Sequence, residues 1–310
     1  MILGGAILTL TFLIVALIPF IGPVAVILTP LPILYYCSRL GRRSGLTVLA
    51  VSLLATYGIL VLMGQGANLP ILFMIGFTGV LLSEVLKRHL SVEKTVLLAS
   101  LALCGCVAGL VLYHAFRAGI SPWQALELYV AGIVQENIKL YAQLNISADQ
   151  IQLVRENAPQ ITHLLTAIFP SLALSGTAFT VWINLLAGRL LFRKSGIPFP
   201  DFGDLAAWKA PDRLVWALIA SGIMVMLPLE GSTIVGMNLL ILCCLAYLFQ
   251  GLAIAAFFFR QKRVPAVFRW LFYALLLIQQ YMLIFVIAFG LFDMWVDFRK
   301  RIGGIPDTPA

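Results

Sequence analysis

The chain has 310 residues, 61% of them apolar and 11% charged, with a formal charge of +8 and a mean hydropathy of +1.00. A soluble domain carries about 45–50% apolar and about 25% charged residues, so too little polar surface remains here to cover a water-facing globule. Spans of ~20 residues each fill most of the length, which excludes an added soluble catalytic domain of ~100 residues or more. The basic residues lie in short connections and not on one continuous face, which excludes nucleic acid as a partner and leaves the lipid bilayer as the first partner implied.

Residues 1–20 lack the basic start and small-residue cleavage site of a secretory signal and are expected to remain as the first membrane helix. Apolar runs then follow near 2–20, 21–37, 46–63, 71–86, 95–116, 160–192, 213–229, 233–259 and 268–292. The second run holds Pro23, Pro30 and Pro32, and its pattern fits a broken or re-entrant helix, tolerated where protein or a cavity satisfies the freed backbone groups. The run at 213–229 is short. The expected fold is all-α: a polytopic membrane helix bundle of eight or nine transmembrane segments, forming one integral membrane domain over 1–310.

Lys and Arg collect on the cytoplasmic side of a membrane protein. Of the 21 basic residues, 15 fall in four connections: Arg39 to Arg43, Lys87 to Lys94, Arg189 to Arg213, and Arg260 to Arg269. The connections at 64–70 and 229–232 carry none. This alternation implies a cytoplasmic N terminus and an outer segment at 117–159. Arg299, Lys300 and Arg301 resist the scheme, because strict parity after nine crossings puts them outside; either the tail is an exception, partly offset by Asp293 and Asp297, or one of the last segments does not fully cross.

Within 117–159, Ser121, Pro122 and Gln124 form a capping-box start, and Ser147 with Gln150 repeats it. Leu126, Val130, Ile133, Val134, Tyr141 and Leu144 then fall at helical spacing, which gives amphipathic helices on the outer membrane surface or a lid over the bundle mouth. The connection at 193–213 is expected to be cytoplasmic and non-helical from its Pro and Gly content, and to serve as an interface anchor or a partner contact.

Polar side chains within spans need a partner or a role. Glu84 lies beside Lys87 and Arg88. His114 and His163 flank the outer segment without a carboxylate or Cys pattern, so no metal is implied; the five cysteines, with no CxxC spacing, read as packing residues. Asn184, Asn238, Gln250, Gln279 and Gln280 are either interhelical glue worth about 0.6–2 kcal/mol each or, with Tyr247 and Tyr281, a neutral polar lining for an uncharged small molecule. Gly105 with Gly109 and Ser171 with Ser175 are small-residue pairs suited to close helix approach. No phosphate loop, nucleophile elbow, zinc helix or carboxylate pair is present, so an enzyme is not expected and no cofactor is implied.

The stretches LPILYYCSRLGRRSGL (31–46), NLLAGRLLFRKSGIPFP (184–200), WKAPDRLVW (208–216), AYLFQGLAIAAFFF (246–259) and GLFDMWVDFRKR (290–301) resemble the YybS-like bacterial predicted membrane proteins, a family of unknown function. On that likeness the family pattern falls on Pro32, Gly41, Gly45, Asn184, Arg189, Pro211, Trp216, Gln250, Gly251, Gly290, Asp293 and Arg299. Pro211 and Gly45 are expected to set turns at span ends, and Asn184 with Arg189 and Asp293 with Arg299 to form polar pairs. The proline-rich second segment and its basic turn are also similar to the start of the substrate-binding membrane subunits of energy-coupling-factor transporters, which have about six helices. The function implied is a multi-pass protein of the bacterial inner membrane that binds a small molecule as a transporter subunit, with membrane or ATPase subunits as partners; the rival is a non-transporting scaffold that docks a partner.

Overall fold

The computed structural model describes residues 2–18, 22–64, 69–143 and 147–303, and every regular segment among them is helical. The helices are α1 (Ile2–Leu17), α2 (Gly22–Leu28), α3 (Pro30–Leu40), α4 (Arg42–Leu62), α5 (Leu69–Leu86), α6 (Val92–Ala118), α7 (Pro122–Ala142), α8 (Ala148–Glu156), α9 (Ala158–Ser195), α10 (Leu214–Met226), α11 (Glu230–Gln261), α12 (Ala266–Ile278), α13 (Tyr281–Val296) and α14 (Phe298–Gly303), with a 3-10 turn at Leu205–Ala207. The chain divides into two compact units: residues 1–111 with 176–202, and residues 112–175 with 203–310.

The eight or nine expected crossings are not all equally supported by length. Among the described residues α4, α6, α9 and α11 are long and apolar enough to cross a membrane, and α12 with α13 would make a fifth span if counted as one. Four shorter apolar helices lie at Ile2–Leu17, Ala25–Leu40, Leu72–Leu86 and Leu214–Met226. A 16-residue helix such as α1 is ~24 Å long at ~1.5 Å per residue, below the ~30 Å of a hydrocarbon core. The expected outer connection at 64–70 lies largely outside the described residues, as does Leu144.

In the first unit the second apolar run is broken at Thr29, between α2 and α3. Pro30 has no N–H to offer the carbonyl of Val26, which instead accepts from the Thr29 N–H at 3.3 Å, while the Thr29 hydroxyl donates to the Ala25 carbonyl at 2.7 Å. Small residues let neighbouring backbones close on this broken segment. A Cβ on Gly79 of α5 would strike the Pro30 carbonyl, and one on Gly45 would overlap the Cys37 sulfur. Gly45 therefore lies inside α4 and serves close packing, not the turn expected of it; the turn is made by Gly41 at φ +86°. Leu8, Phe12, Ile33, Cys37, Val48 and Leu49 form the core around these contacts, and the Ser52 hydroxyl of α4 donates to the Gly5 carbonyl of α1 at 3.1 Å.

In the second unit α7 starts as expected. The Ser121 hydroxyl accepts from the Gln124 N–H, and the Gln124 side chain accepts from the Ser121 N–H, at 3.2 and 3.1 Å. Its buried seam is Leu126, Val130, Val134 and Ile138, an i, i+4 stripe. Helices α10 and α11 form a hairpin in which a Cβ on Gly236 would meet the Ser221 carbonyl. Helix α11 meets α13 more closely still: a Cβ on Gly251 would collide with the Val286 carbonyl, and one on Gly290 with the Tyr247 carbonyl. By contrast, Cβ atoms on Gly105 and Gly109 would meet nothing within 4 Å among the described residues, so that GxxxG pair packs against no other described helix.

The run expected at 268–292 as one helix is two, bent by 111° between α12 and α13. The break falls on Gln279, which leaves helical geometry at φ −103°, ψ 91°. In α12 only Leu276 is buried.

Candidate functional site

Asn184, Asn238 and Gln250 are fixed by hydrogen bonds within their own units. Each is held differently, and three arrangements result.

In the first unit Asn184 of α9 is fully buried. Its amide nitrogen donates to the Ile27 carbonyl of α2 at 2.6 Å and to the Thr180 carbonyl one turn back at 2.7 Å. Both hydrogens are thus used, one of them to hold the broken second segment. Its Oδ1 atom has no hydrogen-bond partner among the described residues. Arg189 lies one and a half turns on and faces Asp201 at 4.0 Å, both exposed; the Asn184–Arg189 pairing expected from sequence is replaced by these two separate contacts.

In the second unit Asn238 of α11 enters the hydrogen-bond ladder of α9 beside Pro170. Its Oδ1 accepts from the Ser171 N–H at 3.0 Å, and its Nδ2 donates to the Ala167 carbonyl at 2.8 Å. Residues 167 and 171 are the two ends of one i→i−4 backbone rung, and the carboxamide bonds both of them. Pro170 lies within this turn and offers no N–H of its own.

The third arrangement is a buried polar clasp. Asp293 of α13 is fully buried; its Oδ2 accepts from the Arg299 guanidinium at 2.9 Å and from the Gln250 amide at 3.0 Å, and its Oδ1 accepts from the Phe298 N–H at 2.9 Å. The last contact is made possible by Asp297, whose left-handed backbone (φ 44°) turns the chain from α13 into α14. Arg299 spends its other donors on the connection before α10, giving Nε to the Ala206 carbonyl at 3.2 Å and Nη2 to the Trp208 carbonyl at 2.7 Å. Gln250 completes the circuit by accepting from the Ala210 N–H at 3.0 Å. Gly251 and Gly290 are the reason these groups meet, because only side-chain-free positions let α11 and α13 approach so closely.

The same connection is fastened at its other end by Asp204, which takes a two-pronged ion pair from Arg260 at 2.9 and 2.6 Å. Lys209 and Lys300 both face Asp297, at 3.8 and 3.7 Å. Sequence reading did not single out Asp204 or the backbone of 206–210. Their partners lie 40 to 93 positions away, beyond any local pattern.

Of the remaining candidates, Gln279, Gln280 and Tyr281 are exposed at the bend between α12 and α13, and the Tyr247 hydroxyl is buried without a hydrogen-bond partner among the described residues. Gln250 is bound by Asp293 and Ala210. Glu84 pairs with Lys87 at 2.7 Å, and His163 faces Glu230 at 3.7 Å on the exposed surface. Cys37 and Cys243 are buried, and the Cys104 sulfur lies 3.6 Å from the Thr177 hydroxyl.

No curated protein and no solved structure matches the chain. A family model does, over residues 6–294, a stretch that takes in all three polar arrangements up to Asp293. The chain belongs to the family described as predicted membrane protein (DUF2232).

Proposed function

We propose that this membrane protein is a transporter-like subunit of the bacterial inner membrane that binds a small uncharged molecule within its first unit, with its N terminus in the cytoplasm. The observation that carries the reading is the Asn184 carboxamide: fully buried, with one hydrogen bound to the broken second segment, the other to its own helix, and its oxygen unpartnered among the described residues. A buried acceptor left unmade costs about 1–3 kcal/mol, which a ligand N–H or O–H reaching that oxygen would recover. The first unit also comprises six apolar segments, from α1, α2 with α3, α4, α5, and parts of α6 and α9, the number usual in the energy-coupling-factor subunits that its start resembles. The shorter apolar helices count in this reading as crossings of a locally thinned bilayer.

The test is native mass spectrometry of the protein purified from its own membranes, followed by thermal-shift screening of whatever small molecules are released. Expected is a co-purifying neutral compound that raises the melting temperature of the wild type and not of Asn184→Leu. Absence of any such compound in the wild type overturns the reading.

The clasp favours a second reading, a docking protein. Arg299, Gln250 and Arg260 hold the 203–213 connection in one shape, and a preorganised surface loses less entropy on binding. Photo-crosslinking from Trp208 and the tail separates the two: an ATPase-linked membrane subunit favours transport, whereas a stoichiometric partner without transport machinery favours docking.

A further inference from the structure

Every charged side chain of the first unit lies at one of its ends, and the packing around α3 explains why. Cys37 of α3 faces Ser83 of α5, while a Cβ on Gly79, one turn earlier in α5, would meet Pro30 at the start of α3. The two helices therefore run parallel and finish together. Helix α9 follows the same course: Asn184 bonds Ile27, a Cβ on Gly188 would touch Leu34, and the Phe192 ring lies 5.8 Å from that of Tyr35. The last turns of α3, α5 and α9 converge, and the turns at Gly41 and at 87–91 bring the first turns of α4 and α6 to the same level. Nine basic residues meet three acidic ones there. Glu84 is taken by Lys87 and Asp201 faces Arg189, whereas Arg42, Arg43, Arg88, Lys94, Arg193 and Lys194 make no ion pair among the described residues. The helix ends do not offset this excess, because each carries only about half a charge and the starts of α4 and α6 oppose the finishes of α3, α5 and α9.

The helix faces below these cations show what covers them. On α4 Leu46 lies one turn from Arg42 and Arg43, on α9 Leu190 lies one turn from Arg193 and Lys194, and on α6 Leu97 lies one turn from Lys94. Spacings of three and four put each set on one face. The three leucines are between 39% and 66% exposed. Each face thus passes, within one turn, from open apolar surface to an unpaired cation, which is the order of layers from acyl chain to phosphate in a leaflet. A water-soluble partner seated on the charges would leave the leucines bare, whereas a lipid covers both, and the long stems of Arg and Lys lie along apolar surface while their heads reach the phosphates. Clusters of basic residues beside membrane helices recognise anionic headgroups on this principle. We propose that this end of the first unit binds anionic phospholipids by their phosphates, with the acyl chains lying along Leu46, Leu97 and Leu190.

The experiment places the full-length protein in phosphatidylcholine vesicles with a trace of spin-labelled phosphatidylglycerol or spin-labelled phosphatidylcholine, and reads the immobilised fraction of each by electron paramagnetic resonance. Expected is a preference for phosphatidylglycerol of about twofold or more that shrinks at high salt. The preference is expected to fall towards unity when Arg42→Gln, Arg43→Gln, Arg193→Gln and Lys194→Gln are combined. A control carrying Lys139→Gln, Arg155→Gln, Lys262→Gln and Arg263→Gln removes the same charge from exposed positions of the second unit and is expected to keep most of it. Equal loss in the two variants overturns the proposal, as does removal of the preference by millimolar soluble glycerol phosphate, which would show that a free phosphate is the ligand. No preference in the wild type overturns it too, and leaves an acidic protein surface as the partner. Loss of basic residues can disturb insertion, so a second readout uses the wild type alone: a photo-crosslinking phosphatidylglycerol is expected to mark residues 42–46 and 189–194, and marking confined to other segments overturns the proposal.

Discussion

Asp293 and Arg299 form a pair in which neither side chain has a substitute. Burial of an ion pair yields little net stability while both partners are present, but removal of one leaves the other charged and unsolvated, at a cost of about 3–5 kcal/mol. Asp293→Ala is therefore expected to lower the melting temperature in detergent sharply, and Arg299→Lys to do nearly the same, because an ammonium cannot direct donors along the three bearings that the guanidinium serves; a melting point unchanged by Arg299→Lys would contradict that geometry. Asn238 offers a finer test. Asn238→Ala leaves both the Ser171 N–H and the Ala167 carbonyl unmade, about 1–3 kcal/mol in all if the rung does not reclose. A melting temperature unchanged by Asn238→Ala would show that the rung closes without it.

Between helices, the glycines that matter are those whose absent side chain lets another backbone in. Gly251→Ala and Gly290→Ala each force a methyl into a carbonyl of the facing helix, and overpacking of this kind costs about 1–3 kcal/mol. Both variants are expected to loosen the clasp and to increase proteolysis of the 203–213 connection. Gly105→Ala and Gly109→Ala have open space in front of them and are expected to leave the melting temperature unchanged or raise it slightly, since Ala favours a helix by about 1 kcal/mol over Gly. The contrast was not readable from sequence, where the GxxxG spacing singles out the second pair. Spacing identifies which residues share a helix face; whether another helix lies on that face depends on the packing of segments far apart in the chain.

For the molecule as a whole, the charge alternation implies that 117–159 is outside and that the connections at 39–43, 87–94 and 189–213 are inside. Reporter fusions check this directly. Alkaline phosphatase joined after residue 120 is expected to be active and a fluorescent protein there dark, with the reverse after residue 202. Nine apolar runs were legible as such, because burial in lipid requires long uninterrupted hydrophobic stretches, and the structure places a helix or a broken helix at each of them. The break at Pro30 was visible in the same way, since proline removes a donor wherever it stands. The capping residues Ser121 and Gln124 act within four positions of one another, so their roles too follow from local sequence.

Partnership among the polar residues followed a different logic. Composition and periodicity determined that the chain is an all-helical membrane protein and which side chains would be expensive to bury alone. Only the tertiary structure decided that Asn238 bonds to α9 at Ala167 and Ser171, that Gln250 binds Asp293, and that the last apolar run is bent by 111°. The physical reason is range: hydrophobicity, proline and capping act over one or two helical turns, whereas a buried amide or carboxylate is satisfied by whichever distant helix the glycines allow to come close.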